Sequence, residues 1–358
     1  MQNVYGAAKQ VLRYLLVELV GRSLYYSGAL YLIGYLRQRI GRPRLLIPMY
    51  HRVSGGPDPP ASLLSIQQGV PVHLFQQHLR VLRWFGPLLT LDDAFSRLRG
   101  ACGPVRTFVA LTFDDGYRDN VTVALPALRA NGAKATFFPV VRTASGGRPL
   151  WWDELTTILS EGHWGGASHD SVLASVRKMG QGPPNGELGP DIRKDEVAAL
   201  LCDWYLELPN EHREASLDAL ASRLKVPRRR RDAHQLYATW HELQSTIETC
   251  EIGGHTCDHL VLTCEDSSLA RSQISDCRTM LESELGKSVS SFAYPNGRHN
   301  AAIRSLTAEA GYRLAVTVQA GVNYRETDPY ALRRVPIHRE RPFHLALKLA
   351  FNGWVHRD

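Results

Sequence analysis

Two adjacent carboxylates close an apolar run in Leu111-Thr112-Phe113-Asp114-Asp115-Gly116-Tyr117. Neighbouring side chains on a strand point to opposite faces, so both acids share one site only where the strand is ending, and the glycine after them marks that end. Holding two carboxylates together is costly unless a cation or a shared proton relieves their repulsion. An acidic pair alone is weak evidence. Asp92-Asp93 is a second one, and it reads as the acidic start of a helix.

His255-Thr256-Cys257-Asp258-His259 follows Ile252-Gly253-Gly254. Histidines four apart fall on one face of a helical turn and reach one metal ion together. Fourteen histidines in 358 residues give about half such a pair by chance, so the spacing alone favours a structural role. Its place just past an apolar run and a double glycine favours ligation. One Asp with two His makes a three-ligand set with a position left for water, as catalytic metals need. Phe292-Ala293-Tyr294-Pro295-Asn296-Gly297 runs from strand-like residues into a turn, and plain packing explains it as well as chemistry does. His51 ends the run Ile47-Pro48-Met49-Tyr50.

The elements that must position these groups alternate. Strand-like runs occur at 45–50, 108–113, 135–141, 251–254, 291–294, 313–318 and 334–337. Between several of them the apolar period is helical: Phe75, Leu79 and Leu82 share a face, as do Ala270, Ile274, Cys277 and Leu281. Asn131-Gly132, Gly286 and Gly311 stand where helices should stop. Seven strands alternating with helices predict a parallel sheet, and a distorted (β/α)7 barrel is the leading α/β architecture, with an open doubly wound sheet as the alternative. Its active face would collect the carboxylates, the His pair and His51.

From about 149 to 236 no strand is evident. Val197, Leu200, Leu201, Trp204 and Leu208 follow helical spacing, as do Leu217, Leu220, Ala221 and Leu224. This predicts a helical insertion after the third strand. The partition is an N-terminal amphipathic segment at 1–44, a barrel at 45–345 that contains the insertion, and a tail at 346–358. A hydrophobic fraction of 44% excludes a disordered scaffold and a disulfide-stapled miniprotein.

The net charge of +7 is partly local, in Arg37 to Arg44 and in Arg228 to Arg231. Nucleic acid ranks last among partners, because a bare charge run is usually a solvated loop. Six cysteines without paired spacing read as reduced thiols of a cytoplasmic protein; Cys250, Cys257 and Cys264 recur every seven residues by coincidence. In residues 4–36 the longest uncharged run that starts on an apolar residue, Leu24 to Leu36, has thirteen residues, short of the ~18 of a spanning helix. No small-residue cleavage site follows it. Two readings stand level: an amphipathic helix lying peripherally on the inner membrane with its arginines at the headgroups, or a helix packed on the protein's own core.

Together these motifs resemble the polysaccharide deacetylases, carbohydrate esterase family four, over roughly residues 45–340. Thr112-Phe113-Asp114-Asp115-Gly116-Tyr117 is similar to that family's first motif, and Gly254-His255-Thr256-Cys257-Asp258-His259 to its second. The resemblance implies a distorted (β/α)7 barrel and a divalent metal held by Asp115, His255 and His259, zinc first with nickel or cobalt as alternatives. It implies Asp114 as general base and the Tyr117 backbone N–H as an oxyanion donor. The family's third motif carries an arginine where Ala293 stands, which leaves Arg298 or Arg334 to orient the base. Its closing histidine motif is missing from the C-terminal end and is resembled instead by Leu46 to His51, as in circularly permuted members of the exopolysaccharide branch. His51 is then the candidate general acid, with His338 and His344 as weaker alternatives. Tyr117, Tyr294, Pro295 and Trp240 make up the expected substrate-contacting set; Trp151 and Trp152 also offer faces for sugar rings, although core packing is the commoner role. The expected activity is removal of N-acetyl groups from amino sugars of a bacterial polysaccharide or lipid-linked glycan; the alternative is a non-catalytic glycan- or membrane-binding relative.

Overall fold

The computed structural model describes residues 18–56, 68–100, 103–164, 193–228 and 233–351. The first seventeen residues, the glycine-rich stretch of the insertion, Arg229 to Arg231 and residues 352–358 of the expected tail lie outside those described.

Seven strands make the barrel: β1 (Pro48–Tyr50), β2 (Thr107–Asp115), β3 (Ala135–Pro139), β4 (Cys250–Ile252), β5 (Ser291–Ala293), β6 (Leu314–Ala320) and β7 (Leu332–Pro336). Parallel ladders join β1 to β2, β2 to β3, β3 to β4, β5 to β6, β6 to β7 and β7 back to β1. Between β4 and β5 a single parallel bridge, Gly254 with Phe292, completes the ring. Its two hydrogen bonds run from the Gly254 N–H to the Ser291 carbonyl (2.9 Å) and from the Ala293 N–H to the Gly254 carbonyl (2.8 Å). The expected barrel is present, and its seven strands fall at the seven runs read from the sequence. Of these seven, the first in chain order, β1, sits between β7 and β2.

Strand alternation sorts the core. Along β2, Phe108 and Ala110 belong to one buried cluster with Phe138, Ala293, Val316 and Leu332. Val109, Leu111 and Phe113 belong to another, shared with the surrounding helices. Residues two apart share a face, so Thr112 and Asp114 continue the interior row that starts at Phe108. Arg334 continues the row of Leu332 on β7 in the same way. The barrel interior is therefore apolar low down and polar at its upper end.

Helix α1 (Ala29–Arg37) lies beside the barrel, and α2 (Val72–Arg83) buries Phe75, Leu79 and Leu82 as its period requires. The insertion supplies α3 (Trp151–Glu161), α4 (Lys194–Tyr205) and α5 (Asn210–Arg223). Leu155, Leu159, Val197, Leu201, Leu217 and Leu220 pack there into a core of their own. Helix α6 (Ser267–Leu285) follows β4 and ends on Gly286 in left-handed conformation. Helix α7 (Pro342–Ala350) buries Phe343, Leu345, Ala346 and Leu349, so the boundary expected at residue 345 falls inside a packed helix.

Candidate active site

Strand alternation would send Asp114 into the barrel and Asp115 away from it. The backbone changes that rule at the needed place. Asp115 and Gly116 both adopt positive φ, 70° and 73°, which ends the strand and lets the Asp115 carboxylate turn toward the loop after β4. A side chain is excluded at 116: an added Cβ would stand 2.8 Å from Pro139 Cα.

His255 and His259 meet Asp115 there. Each Nε2 lies 3.5 Å from Asp115 Oδ1, and the two rings are 4.7 Å apart at 82°. The pair is not on a helix, as the spacing had suggested. Residues 255–259 form a bend in which Thr256 and His259 have positive φ, 65° and 55°. Thr256 Oγ1 accepts the His259 N–H at 2.8 Å and closes that bend. Backbone strain of this kind collects where a site must be held in one geometry.

The tautomer of His255 follows from its neighbour. Its Nδ1 donates to the Ala293 carbonyl at 2.7 Å, which leaves the Nε2 lone pair aimed at Asp115. Burial disfavours the charged imidazole, but the hydrogen bond and charge of Asp115, with the field of Asp114, raise the His255 pKa. At His259 burial and the adjacent His255 ring win, and its pKa is pushed down to about 3. Asp115 Oδ2 is buried with no hydrogen-bond partner among the described residues. Two imidazole nitrogens and a carboxylate oxygen within 4.8 Å of one another fit a divalent cation of the zinc type.

Asp114 is held by a different element. Arg334 Nη1 and Nη2 donate to Asp114 Oδ1 and Oδ2, both at 2.7 Å, and Arg334 Nε donates to the Thr317 carbonyl at 2.7 Å. Burial pushes the carboxyl up, but the arginine's charge and paired hydrogen bonds outweigh it and hold Asp114 well below the usual carboxylate range. Of the two arginines proposed to replace the missing one at Ala293, Arg334 is therefore the partner. Arg298 instead binds Glu207 and the Leu206 carbonyl of the insertion.

His51 leaves β1 on the same rim, close enough for its charge to lower the pKa of both Asp114 and Asp115. His344 lies elsewhere, 2.9 Å from Glu18. His338 lies near His51 and makes its backbone contact with Glu340.

The expected substrate-contacting set separates. The Tyr117 ring is fully buried, stacked on Tyr237. Its hydroxyl donates to Asp153 (3.1 Å) and accepts from Trp152 Nε1 (2.8 Å), so only its backbone faces the rim. Tyr294 is also fully buried, donating to the Tyr330 carbonyl at 3.1 Å, and Pro295 is buried. These corrections have one cause: each aromatic sits where a strand leaves the barrel and is covered by segments distant in sequence, Trp152, Asp153 and Tyr237 over Tyr117 and Tyr330 over Tyr294. Trp240 remains partly exposed and donates to Ser145 Oγ at 3.2 Å. Trp151 and Trp152 are packed, not open to sugar.

Trp152 was visible in the sequence only as an aromatic, yet its ring packs edge-on against His259 at 4.6 Å. It comes from α3, the first helix of the insertion. Asp153 beside it accepts from both Tyr117 and Tyr237.

Fold and rim together define a (β/α)7-barrel protein with an Asp-His-His candidate metal site beside a second, arginine-held carboxylate. The sequence profile of the polysaccharide deacetylase family matches residues 103–170 and 231–315. The YxkH protein of Bacillus subtilis (strain 168), named as a polysaccharide deacetylase, is 23% identical over 295 residues, 82% of this chain and 71% of its own. Among solved structures, the Streptococcus pyogenes deacetylase PplD superposes with a TM-score of 0.56 at 17% identity, covering 86% of this chain and 98% of its own. IcaB from Ammonifex degensii gives 0.52 at 17% identity, over 85% and 96%. These structural likenesses are ones of fold. The chain is thus similar to the polysaccharide deacetylase family in sequence profile and to solved deacetylases in fold.

Proposed function

We propose that this protein is a metal-dependent deacetylase that hydrolyses the acetamide of N-acetylated amino sugars in a bacterial polysaccharide or lipid-linked glycan. The observation that carries the reading is the juxtaposition of an Asp-His-His cluster with a separate, ionised carboxylate on the neighbouring residue.

Asp115, His255 and His259 would hold the cation. When bound, zinc or a similar ion polarises a carbonyl and lowers the pKa of a water. Asp114 stays ionised throughout the working pH range because of Arg334, and the same pairing fixes the carboxylate plane, so its remaining lone pairs accept a proton from water in one direction. The Tyr117 N–H would donate to a developing oxyanion; in support, the bridge to Tyr237 uses the Arg118 N–H and the Gly116 carbonyl instead. His51, on the same rim, supplies the proton that a departing amine requires. Trp240, partly exposed, is the aromatic left to meet a sugar face.

The reading as a circularly permuted relative of the exopolysaccharide branch is supported by His51, which leaves β1 near the front of the chain and lies close to Asp114 and Asp115. The test is acetate release from chitin oligosaccharides by zinc-loaded protein. Activity that disappears in Asp114→Asn while metal stays bound supports the reading. Stoichiometric metal with no acetate release from any N-acetylated glycan would overturn it in favour of a binding protein.

A further inference from the structure

The N-terminal helical segment turns an apolar face to water. In α1 the exposed side chains are Tyr31, Leu32, Tyr35 and Leu36, while Leu30 and Gly34 face inward. Leu32 is 54% exposed, Leu19 and Tyr26 in the preceding turns 69% and 81%, and Ile40 just beyond 67%. Among the described residues, eight of the twelve exposed large hydrophobics fall between 19 and 40. A helix apolar on both faces is normally buried on both, and a patch of this kind marks an interaction surface.

From Leu19 to Pro57 the chain contains no carboxylate; Arg22 pairs with Glu18 at 2.9 Å and Arg42 with Glu326, and Arg37 and Arg39 lie between them. The Arg39 guanidinium sits 4.0 Å over the Tyr35 ring, joining cation and aromatic at the edge of the patch. The inner face is firmly attached. Glu18 meets Arg341 and His344, Gly21 leaves no room for a side chain against Leu347, and Gln38 Nε2 donates to the Arg83 and Trp84 carbonyls.

We propose that this face docks the protein on an anionic lipid surface, with the leucines and tyrosines at the headgroup–acyl boundary and the arginines at the phosphates. Tyrosine is at home at that depth, and arginines beside an apolar helical face add attraction to anionic headgroups. A second copy fits less well, because a two-fold pairing of this face sets arginine against arginine. The docked orientation follows from the attachments. The Arg37 carbonyl accepts from Thr107 Oγ1, at the foot of β2, whereas Glu18 is tied to Arg341, beyond the upper end of β7. The helical segment thus runs along the barrel's flank from base to rim, and a bilayer against it lies beside the mouth of the site.

This inference is independent of the deacetylase reading. The test is cosedimentation of the full chain with phosphatidylcholine vesicles, with and without phosphatidylglycerol. Binding is expected only with the anionic lipid, weakened about tenfold or more by Leu32→Ser with Leu36→Ser and at least about fivefold by Arg39→Glu, with soluble-substrate turnover unchanged. Absence of binding, or equal binding to both vesicle types, overturns it. So does concentration-dependent dimerisation in sedimentation velocity that the same substitutions abolish, since a second copy would then cover the face.

Discussion

Arg334 and Asp114 stand 220 residues apart in the chain and share two parallel hydrogen bonds of 2.7 Å across β7 and β2, both fully buried. The pairing fixes the carboxylate plane from β7, while on β5 the Ala293 backbone carbonyl accepts from His255 Nδ1 at 2.7 Å.

Replacing Arg334 by Gln should be costly. It leaves a buried carboxylate without its counter-charge, a loss of about 3–5 kcal/mol at neutral pH. The pH dependence should also change sign. With Arg334 present, Asp114 has a folded pKa below its unfolded value, so its stabilising contribution is complete at neutral pH and is lost as pH falls through about 4 and below. Without it, burial is opposed only by the charges of His255 and His51; where burial wins, the folded pKa lies above the unfolded value and stability falls as pH rises above about 4. Urea midpoints across pH 4–8 separate the two patterns, and the acidic limb of any pH–rate profile should move upward in the variant.

Asp115→Ala and His255→Ala should each abolish stoichiometric metal, with affinity falling more than the ~10–100-fold expected for an outer partner. Metal content after dialysis measures this. The parent should also gain thermal stability on addition of zinc, while the variants should not. Retention of metal by both variants would remove the proposed ligand set.

Gly116→Ala should destabilise by roughly 1–3 kcal/mol or more, because positive φ and the approach of Pro139 act together. Gly286→Ala is the matched control. Its φ is 64° but nothing stands within 4 Å of an added Cβ, so about 1 kcal/mol of left-handed strain is the whole expected cost. Melting temperatures of the two variants compare strain with and without a clash.

Trp152→Ala should weaken metal binding about tenfold or more through the freed His259 ring, and Trp152→Phe should restore most of it. The phenyl ring keeps the edge contact and loses only the hydrogen bond to Tyr117. Chelator competition and the visible spectrum of the cobalt-substituted protein report the ligand geometry directly.

What the sequence disclosed tracks how local each feature is. Strands and helix stops are written in nearby residues, so all seven barrel strands and the glycine at the end of α6 were legible. The aspartate pair was legible because a strand end and a glycine announce it. The His255–His259 turn was misread in form, since Thr256 and His259 take left-handed backbone that neither residue type signals. Arg298 and Arg334 were equally eligible until the fold brought one to Asp114 and the other to Glu207. Tyr117 and Tyr294 looked like contact residues because aromatics beside motifs suit sugars, while their burial is set by loops distant in sequence. Trp152 carried no signal at all of its contact with His259.

That last contact ties two hydrophobic cores to one ligand. The insertion packs around its own leucines in a core that also takes in Tyr117 and Val140 from the barrel rim. Because Trp152 belongs to it, loosening of the insertion would free the His259 ring while leaving Asp115 and His255 in place. The order of the proposed third ligand would then follow the stability of a neighbouring module, and affinity for a cation would gauge whether the insertion is folded.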